Sequence, residues 1–93
     1  MHRHNKVWIV DDDSSIRWVL ERALSQAGID NESFADGDQL LQRMESDLPD
    51  VIISDIRMPG TDGLQLLSLI SEKHPNLPII ITTAHSDLDS AVA

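Results

Sequence analysis

The chain has 93 residues, no cysteine and a formal net charge of −9 from seven basic and sixteen acidic side chains. That length allows one domain, and the missing cysteines exclude a disulfide framework and a thiolate zinc site. So acidic a chain lacks the basic surface that displaces counterions from nucleic acid, while 41% hydrophobic residues suffice for a packed core, aliphatic rather than aromatic.

In chain order, the first apolar run is Val7-Trp8-Ile9-Val10. It is continuous rather than alternating, as in a strand buried on both faces. It is too short for a signal-peptide core, and nothing approaches the roughly 18 consecutive apolar residues of a membrane helix. The expectation is a cytoplasmic protein that touches neither membrane nor nucleic acid. Ile16, Val19, Leu20, Ala23, Leu24 and Ala27 then form one helical stripe, capped at its start by Asp13 or Ser14 and at its end by Gly28. Trp8 belongs to the core, whereas Trp18 falls off this stripe and is expected to be partly exposed. Residues 29–34, with polar Asn31, Glu32 and Ser33, read as an edge strand.

A second helix carries Leu40, Leu41 and Met44 and begins near Asp36-Gly37-Asp38. Val51-Ile52-Ile53 is the next buried strand. Leu64, Leu67 and Ile70, flanked by Leu66 and Leu69, predict a third helix that ends before Pro75. Ile79-Ile80-Ile81, entered through Pro78, predicts a fourth strand running on to Thr82 and Thr83. Ser86-Asp87-Leu88-Asp89 has the spacing of a capping box, so a fourth helix begins there.

Regular alternation at this spacing implies right-handed crossovers and an open parallel sheet, one α/β unit over residues 1–93. Such sheets bind ligands beyond the carboxyl ends of their strands. The first strand ends in Asp11-Asp12-Asp13, the third in Ser54-Asp55 and the fourth in Thr82-Thr83-Ala84. A lone Asp at a strand end is usually a helix cap, and Asp13 fits that role. Three in a row plus a fourth exceed what one cap needs. Carboxylates brought together raise one another's pKa, so the cluster asks for a cation. An all-oxygen set suits a hard divalent ion, Mg²⁺ best, and the alternating pattern of a calcium loop is absent. Pro59-Gly60 and Asp62-Gly63 read as tight turns that leave Asp55 at the mouth of the cleft. A carboxylate beside Mg²⁺ can attack phosphorus and form an acyl phosphate, with the Thr83 hydroxyl facing the same group.

Three blocks carry a family resemblance: Val7-x-x-Val10-Asp11-Asp12-Asp13-Ser14-Ser15-Ile16-Arg17, Ser54-Asp55-Ile56-Arg57-Met58-Pro59-Gly60-x-Asp62-Gly63, and Ile81-Thr82-Thr83-Ala84-His85-Ser86-Asp87. In this order the chain resembles the receiver domains of two-component response regulators, the nitrogen-regulation type above all. The resemblance implies a flavodoxin-like, doubly wound parallel sheet of strand order 2-1-3-4-5, of which this sequence supplies 2-1-3-4. It implies Asp55 as phospho-acceptor, and Mg²⁺ held by Asp11, Asp12, Asp55 and the backbone carbonyl of Arg57. It implies Thr83 as the switch hydroxyl, with small Ala84 and then His85 leading into the switch helix.

The implied partners are a sensor histidine kinase and, in the full-length protein, ATPase and DNA-binding output domains. Those domains work with the sigma-54 RNA polymerase to control transcription of nitrogen-regulated genes. The domain itself would be a regulatory phospho-acceptor, not an enzyme. The family's lysine has no counterpart here, since Lys6 and Lys73 sit elsewhere. The expectation is a domain truncated before its fifth strand, which leaves the fourth strand an apolar edge open to self-association. An alternative follows: a receiver-like interaction or oligomerisation fragment that is not phosphorylated. A phosphatase of the haloacid dehalogenase type would want a second acid just after the nucleophile, where Ile56-Arg57-Met58 stands.

Overall fold

The computed structural model describes residues 6–58 and 60–82. Its elements alternate along the chain: β1 (Lys6–Val10), α1 (Ser14–Gln26), β2 (Asp30–Phe34), α2 (Gly37–Arg43), β3 (Val51–Asp55), α3 (Gly63–Lys73) and β4 (Ile79–Thr82). The strands are all parallel and lie in the order β2-β1-β3-β4, as the alternation and the resemblance required. The expected fourth helix, with its capping box from Ser86, lies outside the described residues.

Local chemistry sets the helix boundaries. Asp13 is the N-cap of α1 and accepts from the Ser15 amide at 2.8 Å. At the other end Gly28, at φ +77°, takes the left-handed position, its amide bonding the Ser25 carbonyl (3.0 Å) and the Ile29 amide that of Leu24 (2.9 Å). That pair of bonds is a Schellman stop, which glycine adopts without steric cost. Asp36 caps α2 through the Gln39 amide, and Asp62 with Gln65 forms a full capping box on α3. Asp62-Gly63 therefore opens a helix rather than making the tight turn that the dipeptide suggests.

The register fixes the two sheet faces. Trp8 stands beside Ile52, and Ile52 beside Ile79. These side chains meet Val10, Phe34, Leu40, Met58, Leu66 and Ile70 in one core under α2 and α3. The opposite face carries Val7, Ile9, Ile53 and Ile80, and α1 packs there over β1 and β2. The polar β2 strand is tied down at its edge. Arg43 makes a bidentate pair with Glu32 at 2.7 and 2.8 Å, and Ser33 donates to Glu21 of α1.

Two helix faces differ from the sequence pattern. In α3 the buried residues are Gly63, Leu66 and Ile70, while Leu64, Leu67 and Leu69 are exposed. In α1 no residue is fully buried, and Ile16 and Val19 of its stripe are 44% and 54% exposed. Trp18 is exposed as expected, with Arg22 stacked 5.3 Å from its ring.

Candidate metal centre

The pairing of Val10 with Ser54 brings the carboxyl ends of β1 and β3 side by side. Asp11 follows one strand and Asp55 ends the other. Carboxylate oxygens of Asp11, Asp12 and Asp55 lie within 4.8 Å of one another. Asp11 is buried, Asp55 half-buried and Asp12 exposed, so the group opens toward solvent. Asp13 stands aside as the cap of α1.

Asp11 is the most constrained of the three. Its amide donates to the Phe34 carbonyl at 3.1 Å, extending the β1–β2 ladder by one bond. Its Oδ1 accepts from the Asp13 amide at 2.9 Å, and its backbone carbonyl accepts from Nη1 of Arg17 at 2.6 Å. Burial pushes its carboxyl pKa up. The Asp13 amide opposes that shift, and repulsion from Asp55, Asp12 and Asp13 adds to it.

Asp55 is positioned by close backbone packing. Ser54 Oγ donates to its carbonyl at 2.9 Å, and the Ile56 amide reaches the Thr82 carbonyl at 2.9 Å. Gly63 lies so near that a Cβ there would stand 2.3 Å from the Asp55 carbonyl oxygen and 2.9 Å from Ile56 Cα. The loop between them is anchored by buried Met58 and by Thr61 Oγ1, which donates to Asp38 of α2 at 2.8 Å. Gly60 turns the loop at φ +76°.

Of the residues singled out from sequence, the structure brings Asp11, Asp12 and Asp55 together. Arg57 lies in the loop two residues past Asp55 and is exposed. Thr83, Ala84 and His85 lie outside the described residues, and so does Pro59. Arg17 and the Thr61–Asp38 bond were assigned no role from sequence, and Gly63 was read only as part of a turn, not as a close neighbour of the Asp55 backbone. Arg17 stands inside the first family block, but its partner is a backbone carbonyl, which no residue letter encodes.

The donor set fits a hard divalent cation. Octahedral Mg²⁺ at about 2.1 Å from its ligands places neighbouring oxygens about 3 Å and opposite ones about 4 Å apart. The three carboxylates, within 4.8 Å of one another, are of the right chemistry and near that span.

Fold and carboxylate trio together define a class, and comparison with known proteins gives it a name. The response regulator receiver domain model matches residues 7–93, and the chain belongs to that family. It is 62% identical over 87 residues to the DNA-binding transcriptional regulator NtrC of Escherichia coli (strain K12), a match covering 94% of this chain and 19% of that protein. Among solved structures, the BeF3-activated receiver domain of nitrogen regulatory protein C (NtrC) matches with a TM-score of 0.78 at 59% identity, over 98% of this chain and 73% of that one. TrrA of Thermotoga maritima, in complex with Mg²⁺-BeF, matches with a TM-score of 0.83 at 32% identity, over 92% and 75%. The chain spans about a fifth of the length of the NtrC relatives it matches.

Proposed function

We propose that this chain is the phospho-accepting part of a cytoplasmic two-component response regulator. Asp55 takes a phosphoryl group from a phosphohistidine of a sensor histidine kinase. ATPase and DNA-binding output domains of a longer protein then act on nitrogen-regulated genes, while this acidic domain touches neither nucleic acid nor membrane. The observation that carries the reading is the convergence of Asp11, Asp12 and Asp55 at the ends of the two central strands. Among the described residues no helix is long and apolar enough to cross a membrane.

In the transfer, an Asp55 carboxylate oxygen attacks phosphorus and the P–N bond to the imidazole breaks. The imidazole leaves with the electron pair and takes up a proton. Asp11, Asp12, Asp55 and the Arg57 carbonyl would hold Mg²⁺, which supplies charge that offsets the phosphoryl oxygens. Packing of Gly63 on the Asp55 backbone keeps the nucleophile from retreating. Thr83 is assigned the hydroxyl that meets the phosphoryl group. The BeF3-activated NtrC receiver and the Mg²⁺-BeF complex of TrrA support the reading by relationship.

The test is a Mg²⁺ titration followed by beryllofluoride, a phosphoryl mimic, read by Trp8 fluorescence and backbone amide shifts. Mg²⁺ is expected to move the amides of residues 11–13 and 55–57, and beryllofluoride to add a second response that Asp55→Asn abolishes. A folded chain that ignores millimolar Mg²⁺ overturns the reading.

One observation favours the second reading, an association module. Ile80 of β4, the outer strand among the described residues, is 53% exposed. We propose self-association through that edge, and its test belongs to the scale of the whole molecule below.

A further inference from the structure

The bond between Arg17 and the Asp11 carbonyl has no place in the chemistry above, yet it ends on the backbone between two members of the carboxylate trio. Arg17 sits in the first turns of α1 and is half-buried, and its Nη1 reaches back six residues to that carbonyl at 2.6 Å. The carbonyl belongs to the peptide unit that leads into Asp12. Because a peptide is planar, fixing this oxygen fixes the plane, and with it the position of the Asp12 Cα from which the side chain departs. The other two bonds of Asp11, to the Phe34 carbonyl and from the Asp13 amide, hold Asp11 itself. Neither of them orients the Asp11–Asp12 peptide from the α1 side. Among the described residues the exposed Asp12 carboxylate accepts no hydrogen bond of its own.

We propose that Arg17 is a positioning residue of the metal centre: by clamping the Asp11 carbonyl it aims the Asp12 carboxylate at the space shared with Asp11 and Asp55. The inference rests on the reading that this trio takes Mg²⁺. Hydrogen bonds behind a metal's ligands orient them, and removing such a bond commonly costs ten-fold or more in affinity.

The charge on Arg17 makes the proposal sharp. A guanidinium near a cation site repels the cation, so on electrostatics alone its removal tightens Mg²⁺ binding. Positioning requires the opposite sign. Arg17→Met keeps the aliphatic stem and its packing but removes donor and charge. Arg17→Lys keeps the charge and one donor of similar reach.

The experiment measures the Mg²⁺ dissociation constant of the chain and both variants by calorimetry, beside Tm and metal-free amide spectra. The expected result is a weakening of about ten-fold for Arg17→Met and within three-fold of wild type for Arg17→Lys. The Asp12 amide should shift in the Met variant alone. Unchanged or tighter binding by a folded Arg17→Met overturns the positioning role while leaving the proposed function intact. Should Arg17→Met fail to fold, Arg17→Lys still decides, since an affinity lost by ten-fold or more despite an undisturbed Asp12 amide overturns the clamp. Absence of Mg²⁺ binding in the wild type overturns the site reading itself, and the clamp with it.

Discussion

Asp11 carries a cost that the metal-free chain bears alone. Burial and three neighbouring carboxylates raise its pKa, so the folded state binds more protons than the unfolded one between the ordinary carboxylate pKa and the raised value. Stability therefore falls as pH rises through that window, and the penalty is complete above it. Asp11→Asn keeps the acceptor for the Asp13 amide and removes the charge. It is expected to raise Tm by a few degrees at pH 7 without Mg²⁺, an advantage that vanishes as pH falls toward 4. Saturating Mg²⁺ should reverse the order, because ligand linkage stabilises the wild type and not the variant. Thermal melts at three pH values, with and without Mg²⁺, check both signs. A Tm that falls at pH 7 without metal contradicts the account of Asp11. Residues of this kind were legible in the sequence because an acid at each of two apolar strand ends is already a spatial statement. Arg17 was not, since its partner is a carbonyl brought near by the turn from β1 into α1.

Among elements, α3 shows where periodicity stops deciding. Leu64, Leu66, Leu67, Leu69 and Ile70 offer two apolar stripes, and the sequence alone favours the one through Leu64 and Leu67. The structure buries Leu66 and Ile70 because Gly63, three and seven residues earlier, is pressed against the Asp55 backbone. A contact between a helix start and a strand end sets the helix rotation, and no local pattern contains it. Gly63→Ala would force a Cβ to within 2.3 Å of the Asp55 carbonyl, so α3 or Asp55 must move. The expected cost is about 1–3 kcal/mol in urea unfolding, together with weakened Mg²⁺ affinity. Gly28→Ala is the matched comparison. Its φ of +77° makes alanine strained by about 1–2 kcal/mol, but a Cβ there meets nothing within 4 Å. Gly28→Ala should therefore cost stability and leave Mg²⁺ affinity unchanged. Equal loss of affinity in both variants would mean that Gly63 acts through global stability rather than through Asp55.

At the scale of the molecule the parallel sheet was legible in the alternation of elements, whereas the strand order was legible only through the family resemblance, since alternation alone leaves several arrangements open. What surrounds the outer strand is a question of association, and two terms oppose each other there. Among the described residues β4 is the outer strand, its outer edge can template another strand, and Ile80 on it is exposed. Against this stands the charge of −9, which makes copies of the chain repel. Salt separates the two terms, since the screening length falls from ~30 Å at 0.01 M to ~3 Å at 1 M while apolar contact persists. Self-association through β4 is thus expected to strengthen with both concentration and salt, read as a rising mass in light scattering. Ile80→Lys places a charge on the edge strand and should keep the chain monomeric at every salt concentration. A wild-type mass that stays at one chain from micromolar to millimolar in 1 M salt would remove the association reading and leave the carboxylate site as the chain's one proposed activity. If association appears but Ile80→Lys leaves it unchanged, the contact lies away from β4, and the Ile16–Val19 face of α1 becomes the surface to mutate next.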